Sequence, residues 1–289
     1  VNQSADGQFA NAVMTDRNWR PAGRGYLGNW GRAARKIYAV HGDRRFLEKC
    51  YEGLERYAEY LHRERDREGS HLYDVINQAE TGQEYMSRYL FADPEGDRWG
   101  PLRLKGVDAT CYAYELERSL GWMAQKLGRG KDAARWNREA DRTREAVRRR
   151  MWDPAIRGFC DVHPKTGRRH PYLSAASFYP FVSDIATKEH LAAIREHLLN
   201  PAEFWTRYPV PSSSRSDPYY SPWGEWKGKR HCCPWNGRSW LMSSSQVCEA
   251  LAEAATGLDR RLRPKAAQLI RRFLMMTFAD GDLARPTSW

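Results

Sequence analysis

The sequence predicts an all-α fold, a toroid of helical hairpins of the (α/α)-barrel type. The chain repeats one unit, which consists of a helix, a short turn, a second helix and a longer loop. The first helix of a pair is rich in small apolar residues and the second is more charged, which favours an inner and an outer ring. The alternatives are an open helical solenoid, whose repeats are usually shorter and more uniform, and a bundle without a central cavity.

Hydrophobic periodicity places four hairpins along the chain. Their approximate ranges, with the turn of each in parentheses, are 26–69 (41–43), 108–152 (127–130), 174–198 (184–187) and 238–278 (256–259). The second hairpin should stop at Trp152-Asp153-Pro154, because proline ends a helix. We expect a short strand at 159–162. The segment 209–229 is rich in Pro, Ser, Tyr and Trp, and a loop of this length is usually functional.

Composition narrows the class of protein. The 289 residues are 41% hydrophobic and 29% charged, which suffices for a buried core. No apolar run is long enough to span a membrane, and this chain does not start with a signal peptide. The net charge of +11 comes mainly from arginines on helices that also carry acidic residues. We therefore expect solvated helix faces and no nucleic-acid partner.

Cysteine and histidine spacing predicts no metal site. The six cysteines and eight histidines are scattered along the chain. Cys232 and Cys233 are adjacent and are poor candidates to bridge each other. The cellular compartment and the oligomeric state stay open.

A polar cluster at 77–89 contains the first candidate catalytic residues. Glu80 and Glu84 are four positions apart, so on a continuous helix they would share a face. Two like charges raise the pKa of one carboxyl, as a general acid requires. The alternative is a capping carboxylate with an ion pair to Arg88.

Three further clusters lie near the starts of inner helices. Residues 103–112 include Asp108, which could also be a helix N-cap. Residues 174–180 are a weak signal alone. Residues 233–240 contain Trp235, Asn236, Arg238 and Trp240. This combination is typical either of a turn or of a site where aromatic rings stack on a sugar beside fixed hydrogen-bond donors.

In this order the clusters resemble those of glycoside hydrolase family 63 and its relatives, the trehalases and mannosylglycerate-hydrolase-like enzymes. The segment Glu80-Thr81-Gly82-Gln83-Glu84 is similar to a Glu-Ser-Gly-x-Asp motif whose last carboxylate is the general acid, with Glu84 in place of Asp. The segment 235–240 is similar to a Trp-Arg/Asn-Gly-x-x-Trp motif. Residues 108–128, 152–159 and 176–180 resemble other family segments, so the likeness covers nearly the whole chain.

The resemblance implies an (α/α)6 barrel that hydrolyses an α-glycosidic bond of a small oligosaccharide or glycoside with inversion and without a cofactor or metal. It implies Glu84 as the general acid. The substrate-binding residues expected from the motifs and the long loop are Glu80, Arg88, Asp108, Tyr220, Trp223, Trp235, Asn236 and Trp240.

The family's general base is a Glu that follows a stretch like residues 280–286, so we expect it just after Trp289. Residues 1–289 are accordingly expected to form one barrel catalytic domain that is truncated at the C-terminus, with truncation at the N-terminus left open. Two alternatives remain: a catalytically inactive sugar-binding barrel, and a sugar epimerase on the same fold. Epimerases of this kind rely on paired histidines, and the sequence supplies no obvious pair.

Overall fold

The computed structural model describes residues 3–9, 27–96, 100–276, 278–279 and 282–286. The chain divides into two compact units, which we call unit 1 (Val1–Gly82 and Asp97–Arg149) and unit 2 (Gln83–Gly96 and Arg150–Trp289). Among the described residues, no helix combines the length and hydropathy needed to span a membrane.

Helices are the main elements of both units. The α-helices are α1 (Trp30–His41), α2 (Arg44–Arg65), α3 (Ser87–Ala92), α4 (Val107–Lys126), α5 (Gly130–Ala146), α6 (Leu241–Glu253) and α7 (Arg263–Met276). Short 3-10 or π-helical segments cover Gln78–Thr81, Val147–Met151, Ala175–Phe181, Lys188–Leu191, Ala193–Leu198, Ala254–Leu258 and Arg260–Leu262.

The strands are short and pair as antiparallel ladders. The pairs are β1 (Asp74–Val75) with β2 (Leu104–Lys105), β3 (Trp152–Asp153) with β4 (Gly158–Phe159), β5 (Glu225–Trp226) with β6 (Lys229–Arg230), and β7 (Phe278–Ala279) with β8 (Asp282–Pro286). The strand expected at 159–162 is thus present over a shorter range, in a hairpin that starts at Trp152.

In unit 1 the first two predicted hairpins are confirmed. Gly42 ends α1 with φ of 66°, a conformation that glycine adopts readily, and the side chain of Asp43 caps α2 by accepting hydrogen bonds from the Arg45 and Phe46 amides. Helices α4 and α5 are joined at residues 127–129, and Trp136 of α5 is fully buried. Its indole Nε1 lies 3.3 Å from the hydroxyl of Tyr51 on α2.

In unit 2 the third predicted hairpin exists, but its helices are 3-10 and π segments and not α-helices. Pro180 lies inside the segment Ala175–Phe181 and lacks the amide hydrogen that an α-helix needs there. The fourth hairpin is α6 and α7. Helix α6 starts at Leu241, three residues later than predicted, because Trp240 has an extended backbone.

A buried carboxylate connects α2, α4 and the start of the first ladder in unit 1. Glu117 of α4 is 1% exposed and accepts a hydrogen bond of 2.7 Å from the Tyr73 hydroxyl. Its Oε1 also lies 2.9 Å from Nε2 of His62 on α2. Burial alone would lower the pKa of His62, but the hydrogen bond and charge of Glu117, with Glu139 and Asp66, outweigh it and raise that pKa.

We expect this pair to make stability depend on pH. Because the folded pKa of His62 is raised, its contribution is complete below the unfolded pKa of about 6.5 and is lost as the pH rises through the folded value. His62→Gln should therefore lower the free energy of unfolding by about 1–2 kcal/mol at acidic pH and by less at alkaline pH. Urea denaturation of both proteins at several pH values measures this, and a difference that does not change with pH would contradict it.

Candidate functional site

Three segments of unit 2 are held together by hydrogen bonds and contain most of the predicted site residues. The Trp235 amide donates to the Glu84 carbonyl at 2.9 Å, which joins segment 83–88 to segment 235–240. Segment 217–221 joins the second of these, since the Ser221 amide donates to the Asn236 carbonyl at 2.9 Å. The Asn236 side-chain amide donates to the carbonyls of Tyr219 and Glu225, each at 2.7 Å.

Glu84, the predicted general acid, is 7% exposed and lies in an irregular stretch before α3. The premise that Glu80 and Glu84 share one helix is wrong. Glu80 belongs to the 3-10 segment Gln78–Thr81, which ends at Gly82 with φ of 63°. The glycine turns the chain, so Glu84 leaves the helical path.

Tyr85, directly after Glu84, has φ of 63°, in the left-handed region that non-glycine residues rarely adopt. Its ring packs against the imidazole of His231 with centroids 4.4 Å apart, and the Trp226 ring lies 6.3 Å away. Such a conformation costs about 1–3 kcal/mol and persists where surrounding packing enforces it.

Arg88 and Ser87 fix helix α3 within unit 2. The Arg88 guanidinium is 1% exposed and lies 2.9 Å from each carboxylate oxygen of Asp161. Asp161 is a partner far away in sequence, outside the 77–89 cluster. The Ser87 hydroxyl donates to Asp217 and lies 3.3 Å from Nε2 of His170.

Asp217 also organises the loop that carries Tyr220. Its carboxylate accepts the Tyr219 amide at 2.9 Å, and its carbonyl accepts the Tyr220 amide at 2.9 Å. Burial raises the pKa of Asp217, although the hydrogen bonds from Ser87 and the Tyr219 amide lower it. Burial also lowers the pKa of His170, to about 4.

A cavity of about 500 Å³ lies beside these segments in unit 2. Its lining residues are Thr206, Arg207, Tyr208, Pro211, Tyr220, Pro222, Gly237, Arg238, Ser239 and Trp240. Tyr220 and Trp240 therefore line a cavity, as predicted. The volume and the mix of aromatic and polar walls are typical of small-molecule sites.

Two other predicted tryptophans differ in their surroundings. The ring of Trp235 stacks on that of Trp240, with centroids 4.6 Å apart and 12° between the planes. Trp223 is 73% exposed and is not among the residues that line this cavity. The Trp223 carbonyl accepts a hydrogen bond from Nη2 of Arg238 at 3.0 Å.

Tyr208 and Asp217 are functional candidates that sequence reasoning did not single out, whereas Arg238 was indicated as part of the cluster at 233–240. Arg238 stands inside the Trp-Asn-Gly-x-x-Trp motif, at a position where the motif prescribes no residue type. Tyr208 and Asp217 flank a serine-rich stretch at 212–214 that gave no specific signal.

The predicted residues Glu80 and Asp108 lie in unit 1 and are both 1% exposed. The Glu80 carboxylate is 2.7 Å from the Arg65 guanidinium and accepts the Ile76 amide at 2.6 Å. Burial raises the pKa of Glu80 to about 7, against the lowering effect of Arg65, and the charge of Asp108 adds to the rise. Asp108 is the second residue of α4, and Gly106 is the N-cap, so the N-cap alternative is wrong.

No group of three His, Cys, Asp or Glu side chains in the described ranges is arranged to hold a metal ion.

Sequence comparison assigns the family. The profile of the mannosylglycerate hydrolase MGH1-like glycoside hydrolase domain matches residues 2–281, and the chain belongs to this family. The periplasmic trehalase of Salmonella newport is 23% identical over 141 residues, which is 47% of this chain and 25% of that protein. The chain thus spans about a quarter of the length of the curated trehalases that it matches.

Solved structures confirm the predicted fold class, the all-α (α/α)6 barrel. The glycoside hydrolase family 63 mannosylglycerate hydrolase from Thermus thermophilus, in complex with glucose, has a TM-score of 0.75 at 18% identity, with 99% of this chain and 81% of that chain covered. The neutral trehalase from Saccharomyces cerevisiae has a TM-score of 0.63 at 14% identity, with 88% and 56% covered.

The buried pair of Arg65 and Glu80 should be essential to the stability of unit 1. Removing one partner leaves an uncompensated buried charge, so we expect Arg65→Leu to destabilise the protein by about 3–5 kcal/mol. The double variant with Glu80→Leu should recover much of this loss. Equilibrium denaturation of the single and double variants measures the coupling energy between Arg65 and Glu80. If the double variant were no more stable than Arg65→Leu, the pair would not be coupled and the prediction would be wrong.

Gly237 permits the close approach of the motif to segment 217–221. A Cβ atom at this position would lie 2.8 Å from the backbone C and O of Ser221. Gly237→Ala should therefore cost about 1–3 kcal/mol of stability and weaken the binding of any ligand of this cavity.

Gly130→Ala is the matched control, since no heavy atom lies within 4 Å of its added Cβ. It should stay neutral or gain about 0.4–1 kcal/mol. Thermal unfolding and titration calorimetry compare the stability and ligand binding of Gly237→Ala with those of Gly130→Ala. Equal values for the two variants would refute the prediction that Gly237 is needed for the close approach.

Proposed function

We propose that the protein hydrolyses an α-glycosidic bond in a small oligosaccharide or glycoside with inversion, using Glu84 as the general acid. The observation that carries this proposal is the link from Glu84 through the Trp235 amide to the stacked Trp235 and Trp240 rings, the second of which lines the cavity. Family membership and the names of the relatives, trehalase and mannosylglycerate hydrolase, support a small glycoside as substrate.

The chemistry assigned to Glu84 is proton donation to the oxygen of the leaving sugar. An inverting glycosidase pairs such an acid with a carboxylate base roughly 6.5–9.5 Å away, and that base activates water on the opposite face of the ring. Glu84 carries one methylene more than the Asp of the related motif, so we expect its reach to be tuned by the strained turn at Tyr85.

The cavity walls supply the contacts expected for a sugar. Tyr220 and Trp240 offer flat aromatic faces for the apolar side of a pyranose ring. Trp235 supports Trp240 from behind by stacking, and Asn236 holds the walls together through its two carbonyl contacts. We propose that Arg88 acts by fixing helix α3 through Asp161.

Trp223 is proposed to contact substrate from the exposed end of the site. Glu80 and Asp108 are in unit 1, and the substrate-binding role that the family motif implies for them stays a prediction.

The acid role makes a specific kinetic prediction. Glu84→Gln should lower kcat/KM by about 10²–10⁴-fold on glycosides whose leaving group needs protonation. The loss should be much smaller on a glycosyl fluoride or a dinitrophenyl glycoside, since these groups leave without a proton. Glu95→Gln, an exposed carboxylate in the same unit, is the matched control and should keep wild-type rates on both substrates.

Proton NMR of the first-formed anomer tests inversion. Unchanged turnover of Glu84→Gln on every accepted glycoside would remove the acid assignment. Calorimetric binding of sugars by the wild-type protein without bond cleavage would instead favour a sugar-binding protein.

A further inference from the structure

Two adjacent cysteines precede Trp235, whose amide bonds to Glu84, with only Pro234 between them and this tryptophan. The Sγ atoms of Cys232 and Cys233 are 3.6 Å apart, Cys232 is exposed and Cys233 is half-buried. Cys111, Cys160 and Cys248 are buried, and Cys50 is half-buried in unit 1. The pair at 232–233 therefore combines access to solvent with a second thiol within reach.

We propose that Cys232 and Cys233 form an oxidation site, at which a peroxide converts the two thiols into a reversible vicinal disulfide. The Cys232 thiolate attacks one peroxide oxygen, the O–O bond breaks, and hydroxide leaves as water after taking a proton, which gives a sulfenic acid. The Cys233 sulfur then attacks the Cys232 sulfur. The S–S bond forms, the S–O bond breaks, and a second water leaves with the remaining proton. The two thiols lose two electrons in all, and the peroxide is reduced to two waters.

Because the two cysteines are neighbours in the sequence, a disulfide between them is expected to be easily reduced and not permanent. Neighbouring Cα atoms are about 3.8 Å apart, shorter than the usual 4.4–6.8 Å across a disulfide. The resulting ring is strained, and strained, exposed disulfides are the easily reduced, regulatory kind. The structure adds what the sequence lacks, because it places both sulfurs on the same side of the chain.

Closing this ring would rotate the peptide between the two cysteines. We expect this rotation to disturb the contacts that the neighbouring residues make with the candidate site. The Cys232 carbonyl accepts a hydrogen bond of 3.1 Å from Nη1 of Arg238, which lines the cavity. Two residues further on, the Trp235 amide bonds to Glu84. On the other side, the His231 ring packs on Tyr85. Oxidation therefore acts on the residues that flank the proposed acid.

The oxidation of the two cysteines is independent of the proposed function. The effect of oxidation on glycosidase activity, however, rests on the proposed function. Hydrogen peroxide is added in small excess to the purified protein, followed by intact-mass and peptide analysis. We expect a monomer that has lost two hydrogens, with both cysteines in one peptide blocked to alkylation until dithiothreitol is added. We also expect a reversible change in tryptophan fluorescence and a reversible loss of glycosidase kcat/KM of about 10-fold or more.

Single serine variants separate the steps. Cys233→Ser should stop at a sulfenic acid that dimedone traps, and Cys232→Ser should keep its activity and fluorescence in peroxide. Cys50→Ser, at the half-buried thiol of unit 1, is the matched control and should oxidise like the wild type.

Three results would overturn the proposal: a disulfide-linked dimer, oxygen addition in place of hydrogen loss, or the same loss of two hydrogens in Cys232→Ser, which lacks one sulfur of the proposed bridge. A protein that forms the bridge and changes its fluorescence, but cleaves no glycoside with or without peroxide, would retain the oxidation site and refute only the proposed glycosidase function.

Discussion

The arrangement of the candidate site depends on one backbone hydrogen bond, from the Trp235 amide to the Glu84 carbonyl. It joins two segments far apart in the sequence, one with the proposed acid and one with the stacked indoles. The absence of a side chain at Gly237 lets the second segment pack on the Ser221 backbone, and Asp217 ties the loop of Tyr220 to helix α3 through Ser87. The backbone at Glu84 and the aromatic wall are thus held in place in advance, which would lower the cost of ordering them in the proposed reaction.

Charge burial explains why the partners of the motif residues lie outside the motif. A buried guanidinium or carboxylate needs a counter-charge, and the local spacing of Arg88 suggests one only four residues away. In the structure its partner is Asp161, which meets the guanidinium with both oxygens in a buried setting. Glu80 is paired in the same way with Arg65 in unit 1. Each ion pair thus joins a motif residue to a segment outside the motif, and the substrate-binding role of Arg88 and Glu80 stays a prediction.

The sequence predicted most of the helices, because amphipathic periodicity is a local property of the chain. Helices α1, α2, α4 and α5 follow their expected ranges closely, as do the two helices of the last hairpin. The segments at 175–198 were predicted as a hairpin but not as 3-10 and π helices, since Pro180 and the small residues around it leave local geometry to tertiary packing. Tyr220 and Trp240 were expected at a cavity, whereas Asp217 was not singled out, because its role arises from partners distant in sequence.

The stretch that contains the proposed acid lies between two residues with left-handed backbone conformations. Gly82 and Tyr85 both have positive φ and enclose Gln83 and Glu84. At Gly82 the conformation costs little, but at Tyr85 it is unfavourable and is enforced by the packing of His231 and Trp226. Gly82 ends the 3-10 segment and leaves Glu84 outside a helix, and the hydrogen bond from the Trp235 amide ties this stretch to the segment with the stacked indoles. A non-glycine residue that its neighbours hold in such a conformation is typical of functional sites, and this supports the proposal that Glu84 acts there.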